Sequence, residues 1–267
     1  MKLYTTENKL LYVSNSVEDT VKQAVEQAIA KRIHLRNINL LGADLSGADL
    51  SGARMPFARL NYADCKGTNF TNSMLENADC VGTDFTEAKF IESDCIGIDF
   101  RWSMLFNATL FKAVLVNARC SYACFLEATL VNTNCQHADF SRSNLVHANC
   151  TRTDFKNASL IKADCIGTDF TYAMFVNTDC TGTKLMQAEF NQVFCKDCDF
   201  TDAQFIDVRI ADSRFLGCDF TDAQFTVDCD FRYDRFDNAS ITDSTFINCI
   251  NAPAHSTSSQ TVPQEVE

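Results

Sequence analysis

One tryptophan, three prolines, nine glycines and four histidines are all that this chain of 267 residues holds of those four types. So little proline and glycine leaves out collagen-like and low-complexity chains. The histidines, His34, His137, His147 and His255, stand far apart, and no HExxH, phosphate-cradling glycine loop or Ser-His-Asp arrangement occurs. The usual signatures of hydrolytic, metal and nucleotide chemistry are therefore missing, and the chain reads as no enzyme, with no cofactor and no metal. No apolar run approaches the ~18 residues of a membrane span. The opening MKLYTTENKLLYVS has no apolar stretch leading to a small-residue cleavage site. The expectation is a cytoplasmic chain without membrane contact. Basic residues are the scarcer sign, 23 against 35 acidic, for a net charge of -12, which argues against direct nucleic-acid binding through phosphate contacts.

Phenylalanine (22) and cysteine (14) are abundant instead, a skew that suggests one copied pattern. Every fifth residue from Leu35 to Phe225 is Leu, Phe, Cys, Met or Ile, thirty-nine positions without a break. Two residues before each of these centres stands a small or slim residue, such as Ala43, Ala48, Thr68 or Ser73, with Ile33, Ile38, Ile98, Val193 and Val208 as larger exceptions. A period of five fits neither helix nor strand, so the chain must turn a corner once per unit. Two inward side chains per unit cannot make a core alone, and the units must stack into a solenoid.

The stretch LLGADLSGADLSGA at 40–53 resembles the pentapeptide-repeat family, whose motif is A(D/N)LXX. The resemblance covers residues 33–250. It implies an all-β fold, a right-handed quadrilateral parallel β-helix with twenty residues per coil, about eleven coils here. At about 4.8 Å per coil the rod is on the order of 50 Å long. The register breaks once, with one extra residue expected at a corner within 226–230. Pro56, just after the centre Met55, is expected to distort the ladder locally.

Three regions follow. Residues 1–32 read as a β-hairpin plus a capping helix, with Ser16 as N-cap and a stripe of Val17, Val21, Ala24, Val25, Ala28 and Ile29 laid over the first coil. Glu18 and Asp19 at its start and Lys31 and Arg32 at its end suit the helix dipole. Residues 33–251 are the β-helix, and 252–267 read as a disordered tail. The best-known gyrase-binding members of the family carry a C-terminal helical dimerisation element, and some have projecting loops; neither is found here.

Nine cysteines are centres, from Cys65 to Cys195, mostly fifteen apart. Fifteen against a coil of twenty places successive ones on different sides, so they read as core and as reduced thiols. The pairs Cys198/Cys218 and Cys229/Cys249 stand twenty apart, and Cys124 is expected to point outwards.

Followed up each side in steps of twenty, one outward ladder is apolar: Phe106, Leu126, Val146, Ile166, Met186 and Ile206. It reads either as a tolerated flat side or as a contact for a dimer mate or another protein, and Trp102, Tyr122 and Arg142 could extend it. Residues 196–251 carry a net charge of -7 against -4 for 35–195. Asp199, Asp202, Asp219, Asp222 and Asp243 make this distal end a candidate surface for a basic protein. Three readings follow: an interaction rod, by family resemblance a DNA-mimicking decoy for a topoisomerase or other DNA-handling protein; a scaffolding part of a phage or bacterial effector; and a redox or metal-binding chain.

Overall fold

Steps of twenty residues set the backbone. The computed structural model describes residues 1–226, 229, 236–247 and 249. Parallel bridges join Asp44 to Asp64, Asp64 to Asp84, and so on to Lys184 and Gln204. That column continues through three short strands, β6 (Gln204–Ile206), β9 (Gln224–Thr226) and β10 (Thr245–Ile247), which gives it eleven levels. Three further columns run alongside, and together they make a four-sided parallel β-helix. Thr245 pairs with Gln224 and Ser240 with Asp219, twenty-one positions apart, so one residue is inserted between these levels. Residues 227, 228 and 230, in the stretch where that residue was expected, lie outside the described residues, as does the tail at 252–267.

Each corner is a β-turn with a chemical reason for its sequence. The Ala43 N–H donates to Leu40 O at 3.1 Å, and Gly42 between them has φ +62, the positive angle a type II turn needs at that point. All nine glycines occupy this site, but so do Asn, Asp, Trp102 and Tyr122. The Asp/Asn slot caps the same corner: Asp44 Oδ1 accepts the Ser46 N–H at 3.0 Å, Asp64 that of Lys66, and Asp219 that of Thr221. Pro56 does not distort the ladder. It occupies the first turn position, whose N–H has no ladder role, and the flanking bonds Met55 N–H to Met74 O and Phe57 N–H to Glu76 O hold at 2.9 and 2.8 Å.

The distal coils depart from this pattern. Strands β3 (Met174–Val176), β5 (Phe194–Lys196) and β8 (Arg214–Leu216) stack in one column, and β4 (Glu189–Asn191) and β7 (Arg209–Ala211) in a second. After Phe170, Phe200 and Phe220 the next inward residue is Ala, and the turn closes. After Phe175, Phe190, Phe205 and Phe215 it is Thr178, Val193, Val208 and Cys218, and no turn bond forms across these corners. A Phe followed by a second bulky inward group overfills the corner, so the turn opens and the strand lengthens. The adjoining corners at Cys195 and Ile210 open in register with their neighbours.

The interior is filled by the centres, which are buried from Leu35 to Phe225. Phe200 stacks on Phe220 with centroids 5.0 Å apart, and Phe205 on Phe225 at 4.5 Å. Most buried hydroxyls in the small slot are satisfied, with Thr68 Oγ1 donating to Leu45 O and Thr83 Oγ1 to Leu60 O, both at 2.7 Å, as burial favours; the Ser73 hydroxyl is an exception, buried without a partner.

At the N-terminal end β1 (Lys2–Tyr4) and β2 (Leu10–Val13) form an antiparallel hairpin. Helix α1 runs over Val21–Ala30 and buries Ala24, Val25 and Ala28. It starts later than the sequence suggests, because Thr20, not Ser16, caps it in a reciprocal box with Gln23. Ser16 and Asp19 are tied to each other ahead of the helix. Val17 is therefore 93% exposed, outside the apolar stripe, and no acidic residue lies in the first turn or basic one in the last. The helix does cover the first coil, with Lys22 Nζ donating to Ser46 O and the Asp49 N–H donating to Glu26.

Candidate functional site

Within each unit the residue before the centre and the two after it face outward, so a side of the rod shows three columns. On one side these are Trp102 and Tyr122 at the leading corner, Met104 and Cys124 in the middle, and Phe106 and Leu126 at the trailing corner. Trp102 and Tyr122 stack in parallel, with centroids 4.2 Å apart and planes 8° apart. The Arg142 guanidinium lies 5.7 Å from the Tyr122 centroid. Trp102 is 60% exposed, Met104 48% and Tyr122 42%. Six apolar side chains from two adjacent coils thus form one flat patch, the kind of feature that marks contact surfaces.

The six-membered apolar ladder is a single column, since the N–H groups of Asn107, Glu127, His147, Gly167 and Gln187 donate to Leu126, Val146, Ile166, Met186 and Ile206 in turn. Its members are half-buried. Beyond Leu126 the middle column turns polar, with Asn144, Asp164, Lys184 and Gln204, so only on two coils are all three columns apolar. Sequence reasoning missed the part of Met104, which joins the two flanking ladders. The available signal was a Met and a Cys in the slot that the motif gives to Asp or Asn.

Twelve cysteines are buried, Cys124 and Cys249 are half-buried, and all fourteen are free thiols. Burial pushes the Cys95 thiol up to about 12 and those of Cys80, Cys120 and Cys135 well above the ordinary range, as desolvation of a thiolate dictates. Cys198 Sγ lies 3.3 Å from the carbonyl oxygens of Phe175 and Lys196, where an S–H donates. Among the described residues no group of three or more His, Cys, Asp or Glu is placed to hold a metal ion, and no helix is long and apolar enough to cross a membrane.

The family model described as pentapeptide repeats matches in eight copies, over 26–55, 57–90, 83–119, 123–160, 163–194 and 198–226. The chain belongs to the pentapeptide-repeat family. Among solved structures, this pentapeptide-repeat chain is similar to HetL, a pentapeptide repeat protein involved in heterocyst differentiation regulation, from the cyanobacterium Nostoc. Identity is 22% and the TM-score 0.54, over 87% of this chain and 98% of that one. QnrB1, a plasmid-mediated fluoroquinolone resistance protein, is 16% identical with a TM-score of 0.38, over 70% of this chain and 87% of that one. Rfr23 from the cyanobacterium Cyanothece is 14% identical with a TM-score of 0.33, over 46% and 86%. No curated protein sequence matches.

The pentapeptide-repeat register also sorts the distal carboxylates. Asp199 and Asp219 occupy the capping slot, accepting the Thr201 and Thr221 N–H groups at 2.8 and 2.9 Å. Asp202, Asp222 and Asp243 sit at the positive-φ corner, with φ 58, 57 and 55, and are exposed. They continue the corner column that holds Trp102, Tyr122 and Arg142 lower down.

Proposed function

We propose that this chain is a non-enzymatic protein-interaction rod whose binding side is the face carrying Trp102, Met104 and Tyr122. The observation that carries this is the exposure of a stacked Trp–Tyr pair beside Met104 on a face whose middle column is otherwise polar but for Cys124. Aromatic and Met side chains concentrate at interface centres, and a rigid ladder loses little conformational entropy on binding. The family's fold presents flat sides without a deep cleft, which suits recognition better than catalysis. Fourteen free thiols fit work in a reducing compartment such as the cytosol.

A second reading is favoured by the acidic corner of Asp202, Asp222 and Asp243, in a stretch with net charge -7. Spread over about 14 Å, that approaches the charge density of a DNA duplex, and such an end fits the basic groove of a topoisomerase or other DNA-handling protein. One affinity-capture experiment separates the readings. Loss of captured protein with Met104→Lys supports the apolar face. Loss only with Asp202→Lys/Asp222→Lys, together with relief of any inhibition of DNA supercoiling, moves the function to the acidic end. Capture that is unchanged by both variants sinks both.

A further inference from the structure

The interaction reading leaves open what lies on the apolar face, and the charges along that face single out an occupant. Below the patch, Asp44, Asp64 and Asp84 against Lys66 give the face a net charge of -2. Above it, Arg142, Lys162 and Lys184 against Asp164 give +2. The face thus carries, on either side of one apolar centre, two halves that complement each other. We infer that it binds a second copy of this chain in antiparallel orientation.

The geometry follows from the register. A two-fold axis lying across the face, between the coils of Trp102 and Tyr122, places each column against the same column of the partner in reverse order. Trp102 then meets Tyr122, Met104 meets Cys124, and Phe106 meets Leu126. One coil further out, Arg142 and Asn144 face Gly82 and Asp84. Gly82 has no side chain of its own there, and its surface is covered by the Tyr62 ring, which lies where a Cβ would stand. In the next coil Lys162 faces the Tyr62 ring and lies diagonal to Asp64, while Asp164 faces Asp64 and lies diagonal to Lys66, and one coil beyond it Lys184 faces Asp44. The alternative two-fold, parallel to the rod, sets the acidic halves against each other and the basic halves against each other, so Asp44, Asp64, Asp84, Asp164 and Lys184 each meet their own copy. Closed isologous pairing of this kind also leaves no apolar patch free to propagate a filament. A flat face of this size belongs with weak, salt-sensitive interfaces.

The proposal rests on the interaction reading and can fail separately from it. Sedimentation equilibrium and the emission of Trp102, the chain's one tryptophan, are followed from micromolar to millimolar chain at low and high salt. A monomer–dimer transition accompanied by a blue shift is expected. Arg142→Glu should weaken the dimer by about tenfold, and adding Asp84→Arg to the same chain should restore it, because each charge then meets its new complement. For orientation, both chains carry Cys249→Ser, and a Met104→Cys/Cys124→Ser chain is mixed with one that keeps Cys124. Antiparallel pairing gives a mixed disulfide, whereas parallel pairing links Cys124 to itself in the chain that keeps it. A chain that stays monomeric throughout, or that crosslinks through Cys124 alone, overturns the proposal. If a monomer still captures another protein in a manner abolished by Met104→Lys, the interaction reading stands without the dimer.

Discussion

A cysteine in this rod behaves as a small hydrophobe because of where the register puts it. The thiols at Cys65, Cys80 and Cys95 are centres, fully buried and shifted upward by desolvation, so their reactive thiolate is scarce near neutral pH. Titration of the native protein with a thiol reagent should show two fast groups, Cys124 and Cys249, and fourteen after denaturation. Several fast groups beyond those two would contradict the buried core. The carboxylates of the capping slot have the opposite bias. Hydrogen bonds from Ser46 and Ser51 hold the Asp44 and Asp49 carboxyls below their ordinary value. A depressed folded value means that the stabilisation is complete above the unfolded carboxylate pKa of about 3.9 and is lost as pH falls through the folded one. The melting temperature should therefore be level from neutrality to about pH 5 and fall steeply below about pH 4. Melts followed by circular dichroism would show this, and a flat profile down to pH 2 would deny the capping role.

Corners decide how each element ends, and the opened corners of the distal coils create their own dependencies. The Val193 N–H, which lacks a turn partner, donates to Ser213 Oγ at 3.0 Å, and Ser213 in turn donates to Phe190 O. Ser213→Ala leaves a buried N–H without an acceptor and should cost about 1–3 kcal/mol in urea unfolding. Ser143, in a closed corner, only adds a hydroxyl contact to Phe140 O while the Ser143 N–H already makes the turn bond. Ser143→Ala should cost about 1 kcal/mol or less, and equal losses would remove the distinction between the two corners. Much of this was legible in the sequence: the inward centres, the glycine corners and the added residue past Phe225 came from spacing, and the coil of twenty from the family resemblance. Opened turns were not, because opening depends on the joint volume of a Phe and the inward residue three places on, as in Phe205 with Val208. Helix α1 was misplaced at its start for a similar reason. Ser16 and Thr20 both suit an N-cap, and the choice is made by the reciprocal bond with Gln23 and by the tie of Asp19 back to Ser16.

The whole molecule is one ladder read from four sides, which explains both what its sequence tells and what it withholds. A period of five repeated with few exceptions determines the fold, whereas the surface depends on which deviations from the motif fall in line after twenty residues. Trp102 and Tyr122 were visible as such a line. Their union with Met104 needed the middle column as well, and there only Met104 and Cys124 put an apolar side chain in the slot. The same arithmetic gives the chain a property that compact domains lack. Inserting or deleting twenty residues slides everything above by one rung and leaves every side chain facing the same way. A change of five turns the upper part of the rod by a quarter turn relative to the lower. The mostly fifteen-residue spacing of the centre cysteines is the signature of such a rotation: each step lays the next thiol a quarter turn back. The single added residue near the distal end, which makes Asp222 and Asp243 twenty-one apart, keeps those two carboxylates on one corner. In this protein length is read out as angle, and a change in residue count acts as a change of heading.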